Sequence, residues 1–122
     1  MTGTDEKKKN AVFCRGESMK PLFRPGDRIR FVPCRAEEVR RGDVILFTPQ
    51  GRDERVVHRV VSIDIHGIRT RGDANPGADA WVLGPAELAG RAVAVERGGT
   101  AIPVAGGLAG RIIAFCIRAV RR

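Results

Sequence analysis

Between residues 28 and 96 the apolar residues come in short, β-branched runs, and turn residues close off each run. Runs of this length suit strands and cannot supply the three or four turns of an amphipathic helix. The turn RPGD introduces RIRFV at 28–32, whose alternation places Ile29 and Phe31 on one face. A second turn, RRGD, leads into VILF at 44–47, a continuous apolar run that suits a strand buried on both faces. The polar loop PQGRDE then precedes RVVHRVVSI at 55–63, the longest strand candidate. A period of two sets Val56, His58 and Val60 on one face and Val57, Arg59 and Val61 on the other. His66 and Gly67 form a hairpin-like turn into IRTR, GDANPGADA at 72–80 forms a loop, and GRAVAVE at 90–96 gives a last strand. The pattern predicts a mostly β fold.

At 122 residues the chain is one domain with room for one modest core. Aromatics make up only 5% of it, so that core rests on Val, Ile, Leu and Ala. Residues 1–10 form a polar, solvated tail, residues 11–105 the domain, and residues 106–122 a C-terminal segment that is helical from about Leu108. This helix is apolar around most of its circumference with Arg at both ends, so it either docks on the domain or lies in a membrane interface. The net charge of +8, carried by 18 Arg and four Lys, attracts anionic partners of any class. Without interleaved aromatics to stack bases, nucleic acid is not the expected partner; an anionic membrane surface met through the helix is. Cys14, Cys34 and Cys116 are odd in number and lack metal-ligand spacing, which argues against a disulfide framework and for a reducing compartment. No signal peptide and no spanning run of about 20 apolar residues is visible, so the expected location is cytoplasmic or peripheral to a membrane.

A serine hydroxyl becomes a useful nucleophile only when a base takes its proton and donors stabilise the oxyanion. Ser18 lies in GESMKP at 16–21, where Gly16 permits unusual backbone angles and Pro21 fixes φ shortly after the serine. For a base, Lys7, Lys8 and Lys9 sit in the tail, Lys20 is two residues from Ser18 in the same loop, and no lysine occurs beyond it. That leaves His58, on the apolar face of a patterned strand, or His66, in a polar turn.

Four ordered blocks carry a family resemblance. GESMKPLFRPGD at 16–27, RGDVILF at 41–47, VVHRV at 56–60 and RGDANPGAD at 71–79 resemble the boxes of type I signal peptidases. The likeness is to the His-type branch found in archaea and the endoplasmic reticulum. WVLGPAELAGRA at 81–92 continues the register. The resemblance implies a core of coiled, barrel-like β-sheets and serine endopeptidase activity on a peptide or preprotein, without metal or cofactor. It implies Ser18 as nucleophile, His58 as base and Asp79 as the orienting acid, with Asp73 as a supporting or competing acid. Gly16, Met19 and Pro21 flank the nucleophile on the substrate and oxyanion side, and the Ser18 main-chain N–H is the implied oxyanion donor. The substrate would bind as an added strand, with small residues before the scissile bond.

Three features depart from that pattern. Gly16 stands where many family members carry a hydroxyl, Glu17 places a negative charge next to the nucleophile, and no N-terminal membrane anchor is visible. Two other functions fit the same sequence. One is a self-cleaving processing protease on this fold, although the related SOS-repressor autoproteases use Lys. The other is a catalytically silent basic domain that binds anionic lipid or nucleic acid.

Overall fold

The computed structural model describes residues 10–121. Apart from Asn10, the tail expected over residues 1–10 lies outside the described residues. Seven strands form one antiparallel sheet: β1 (Ala11–Phe13), β2 (Arg28–Val32), β3 (Val44–Phe47), β4 (Val56–Asp64), β5 (Gly67–Arg71), β6 (Leu88–Arg97) and β7 (Thr100–Pro103). Their order is β1-β2-β6-β3-β4-β5, with β7 paired to the end of β6. The mostly β expectation holds. The sheet is open, since β1 and β5 each pair with a single strand, so the barrel-like core does not close.

At ten residues β6 exceeds the nine of β4, the strand expected to be longest. Its first residues pair with β3 and its later ones with β2, and the register shifts at Leu46/Phe47 and at Arg30/Phe31. Such irregularities increase local twist and let one long strand serve two neighbours. Gly90 sits at this crossover, where a Cβ would lie 2.5 Å from the Val32 carbonyl oxygen.

The two R-x-G-D turns use the same device. Gly26 and Gly42 adopt φ of 93° and 94°, a region that L side chains avoid. The following aspartates, Asp27 and Asp43, accept the N–H groups of Arg24 and Arg40 at 2.8 and 2.9 Å. Each turn therefore delivers its strand with fixed register.

All four residues of β3 are buried, as the continuous run predicts, and the strand separates two apolar clusters. Val44 packs with Met19, Phe23, Ile29, Ala92 and Val95 on one side. Ile45 and Phe47 pack with Val39, Val60, Ile68 and Leu83 on the other. Ile29 and Phe31, expected on one face of β2, are both buried.

Helix α1 (Gly107–Arg121) follows β7. It is tied to the sheet at its start, where the Gly107 N–H donates to Asp43 Oδ1 at 2.8 Å. Among the described residues, no helix is long and apolar enough to cross a membrane. Cys14, Cys34 and Cys116 are all free thiols.

Candidate active site

Ser18 lies in the loop between β1 and β2, and the sequence pins that loop at both ends and from beneath. The Cys14 N–H donates to the Asp27 carbonyl at 2.8 Å, and the Gly26 N–H returns to the Cys14 carbonyl at 2.9 Å. Met19 and Phe23, nearly or fully buried, anchor the loop in the first apolar cluster. From above, the loop after β5 closes onto it: the Ala74 N–H donates to the Ser18 carbonyl at 2.7 Å. A Cβ on Gly72 would lie 2.9 Å from the Ser18 Cβ and 2.7 Å from its carbonyl oxygen, so only glycine allows this approach.

His58 projects from β4 beside the second cluster, with its ring stacked near Trp81 and edge-on to Phe47. Its Nε2 lies 2.9 Å from Ser18 Oγ, and its Nδ1 lies 2.6 Å from Asp79 Oδ2. Thr70 Oγ1 donates to the same Asp79 oxygen at 2.6 Å, and Trp81 Nε1 donates to Thr70 Oγ1 at 3.0 Å.

The direction of this chain follows from its first member. An indole N–H can only donate, so the Thr70 hydroxyl accepts from Trp81 and turns its own proton toward Asp79. Asp79 Oδ2 accepts a second hydrogen bond, from the His58 Nδ1–H, which leaves Nε2 as a bare acceptor facing the Ser18 hydroxyl. A half-buried indole thus fixes the tautomer that a general base needs. The His58 and Asp79 side chains are only 8% exposed, so water competes little for these bonds.

Asp73 does not reach the imidazole. It forms a bidentate pair with Arg59, to Nε and Nη2 at 2.8 Å each, both side chains being 2% exposed. Arg59 Nη1 also donates to the Gly42 and Ala105 carbonyls. The residue beside the histidine thereby locks the RRGD turn, the entry to α1 and the loop over Ser18 together.

The structure also places the other residues singled out in the sequence. Gly16 lines the cavity described below, and a Cβ there would meet nothing within 4 Å. Met19 is a core residue whose sulfur accepts the Asp73 N–H at 3.2 Å, and it borders the same cavity. Pro21 is exposed and lies outside the cavity wall. Lys20 pairs with Glu17 and so holds that carboxyl below the usual carboxylate range; the charge is directed to a cation and not to Ser18. His66 is exposed in its turn, where its N–H donates to Asp64 Oδ1 at 2.8 Å.

Thr70, Trp81, Gly72 and Arg59 were not singled out in the sequence. Only Thr70 carried a local signal: period 2 in the short strand IRTR puts it on the buried face with Ile68.

Ser18 and His58 open onto a cavity of about 630 Å3. Its floor is apolar, formed by Val12, Cys14, Phe23, Ile29, Leu46 and Val57. Burial pushes the Cys14 thiol pKa up, which keeps it a neutral lining group. β1 borders this cavity and is the edge strand of the sheet. The Ser18 main-chain N–H meets no acceptor among the described residues.

Comparison with known proteins gives a partial match. The chain is similar to the signal peptidase complex catalytic subunit SEC11C of Homo sapiens and of Canis lupus familiaris. Each match is 36% identical over 64 residues, covering 48% of this chain and 33% of the relative. It is also similar to the catalytic subunit SEC11 of Scheffersomyces stipitis, 39% identical over 62 residues, 48% of this chain and 37% of that one. The chain thus spans about a third of the length of the curated relatives it matches. No family model and no solved structure matches. Over the matched stretch the chain is similar to signal peptidase complex catalytic subunits.

Proposed function

We propose that this chain is a serine endopeptidase of the signal peptidase type, in which Ser18 attacks, His58 carries the proton and Asp79 orients His58. The observation that carries this reading is the alignment Ser18 Oγ–His58 Nε2–His58 Nδ1–Asp79 Oδ2, with steps of 2.9 and 2.6 Å across one imidazole. The homology supports a protease at the family level.

As Ser18 Oγ bonds to the scissile carbonyl carbon, its proton passes to His58 Nε2, and Asp79 stabilises the imidazolium that results. The Ser18 main-chain N–H would donate to the developing oxyanion. His58 then gives the proton to the departing amine, which leaves an acyl group on Ser18. Water, deprotonated at the same Nε2, hydrolyses that ester and restores the hydroxyl. The substrate would lie as an added strand along β1, with a small residue over the apolar floor. Leader or pro-segments of exported proteins fit that description.

Cleavage of a peptide with small residues before the bond tests the reading. Ser18→Ala and His58→Ala should each lower kcat by about 10⁴-fold or more. Wild-type rates in either variant would overturn it.

A further inference from the structure

Helix α1 is turned the wrong way round for a helix that belongs to the core. On the described part of it, the one buried residue is Gly110, and Ala114 is half-buried on the same side. Ile117 is half-buried, but the other large apolar residues are exposed: Leu108 is 68% exposed, Ile112 56% and Phe115 65%, with Ile113 and Cys116 also exposed. Leu108, Ile112 and Phe115 follow at i, i+4 and i+7, so they form one continuous stripe.

The attachment is narrow and built from main chain. The Gly107 N–H meets Asp43, and Gly110 approaches the Gly42 carbonyl so closely that a Cβ there would lie 2.2 Å from its oxygen. The helix is fixed by its first turn and presents its apolar side to whatever lies outside the domain.

Charge identifies the occupant. No carboxylate occurs after Glu96, whereas Arg97, Arg111, Arg118, Arg121 and Arg122 do. Beside the helix, Arg41 and Arg111 border a groove of about 350 Å3. A second copy of this chain, at +8, would bring like charges together. Over its described residues the helix extends about 22 Å, and no described helix is long and apolar enough to cross a membrane. Broad apolar arcs flanked by arginine suit the boundary of an anionic bilayer, where acyl chains cover the stripe and headgroups meet the guanidinium groups.

We infer that α1 is an interfacial anchor that seats this domain on an anionic membrane through Leu108, Ile112 and Phe115. The inference is independent of the peptidase reading, because its readout is binding and the Ser18→Ala variant should bind as the wild type does.

The test is flotation of the full chain with phosphatidylcholine vesicles, with and without phosphatidylglycerol. The wild type should float with the anionic vesicles, release as salt rises, and ignore the neutral ones. Ile112→Glu with Phe115→Glu should weaken partitioning by about 100-fold or more; both positions are exposed, so the melting temperature should not move. An environment-sensitive fluorophore on the exposed Cys116, with Cys14 and Cys34 replaced by Ser, should shift to the blue on anionic vesicles. Equal flotation of the double variant, or no fluorophore shift, overturns the assignment. So does a dimer that the double variant abolishes while the wild type fails to float.

Discussion

His58 and Arg59 are consecutive residues of β4, and each takes an aspartate from the one loop that follows β5. The two pairs are both buried, yet they do opposite things. Arginine keeps its proton at any ordinary pH. Asp73 can therefore only hold it, through two parallel bonds that exclude water and brace three segments of chain. Imidazole exchanges a proton near neutrality. Asp79 binds one of its nitrogens and leaves the other toward Ser18. The role of each acid is thus set by what its partner can do with a proton, and by Thr70, which gives Asp79 a second donor.

The widest separation should come from neutralising each acid in turn. Asp79→Asn removes the acceptor that selects the His58 tautomer, so kcat should fall on the order of 10⁴-fold with little change in stability. Asp73→Asn leaves Arg59 buried without its counter-charge, which costs about 3–5 kcal/mol. Its melting temperature should drop by about 10 °C or more, while the folded fraction keeps the wild-type pH profile. Thermal unfolding and peptide hydrolysis on both variants check this. If the two variants shared one pattern, the distinction between brace and relay would be lost.

The contrast was only half legible in the sequence. Strand patterning located β2, β3, β4 and most of β6, because a period of two and R-x-G-D turns are local properties. Asp73 and Asp79 lie six residues apart in one Gly/Pro loop, and nothing local says which meets the histidine. Parity put Arg59 on the face opposite His58, but a charged residue on an antiparallel strand ordinarily points to solvent. Its burial follows from the Gly42 and Ala105 carbonyls, which are 17 and 46 residues distant. β1 is three residues of edge strand, too short to show a period. β7 follows Gly98-Gly99, a hairpin pair at positive φ, whereas the sequence pattern ended its strands with GRAVAVE at 90–96. Trp81 followed the acidic box, but its indole acts through Thr70, a contact that exists only once β5 is paired.

A smaller effect should sharpen the relay half of the comparison. Thr70→Val keeps the shape of the side chain but removes the donor to Asp79 and the acceptor for Trp81. Losing one buried hydrogen bond and stranding an indole N–H costs about 1–3 kcal/mol. On the transition state that corresponds to roughly 10- to 100-fold in kcat, with KM unchanged because Thr70 does not line the cavity. Thr70→Ser restores both bonds and should recover most of the rate. An unchanged kcat in Thr70→Val would mean that Asp79 needs no second donor.

The smallest effect belongs to a third pair, which tests the brace half by weakening its burial. Asp27 also binds an arginine through both oxygens, but Arg97 is 30% exposed where Arg59 is 2%. The hydrogen bond from Arg97 holds the Asp27 carboxyl below the usual carboxylate range. A folded pKa depressed in this way contributes stability that is complete above the unfolded value of about 3.9 and is lost as pH falls through the folded value. Asp27→Asn keeps an oxygen for the Arg24 N–H and removes only the charge. Its melting temperature should sit a few degrees below wild type at neutral pH, a far smaller drop than for Asp73→Asn, because water shares the solvation of Arg97. As pH falls through the lowered folded value the two curves should converge, because the wild-type carboxyl takes up its proton there. A deficit that persisted undiminished into acid would show that the Asp27 carboxylate acts through packing and not through its charge, and burial would then cease to be what separates the two arginine pairs.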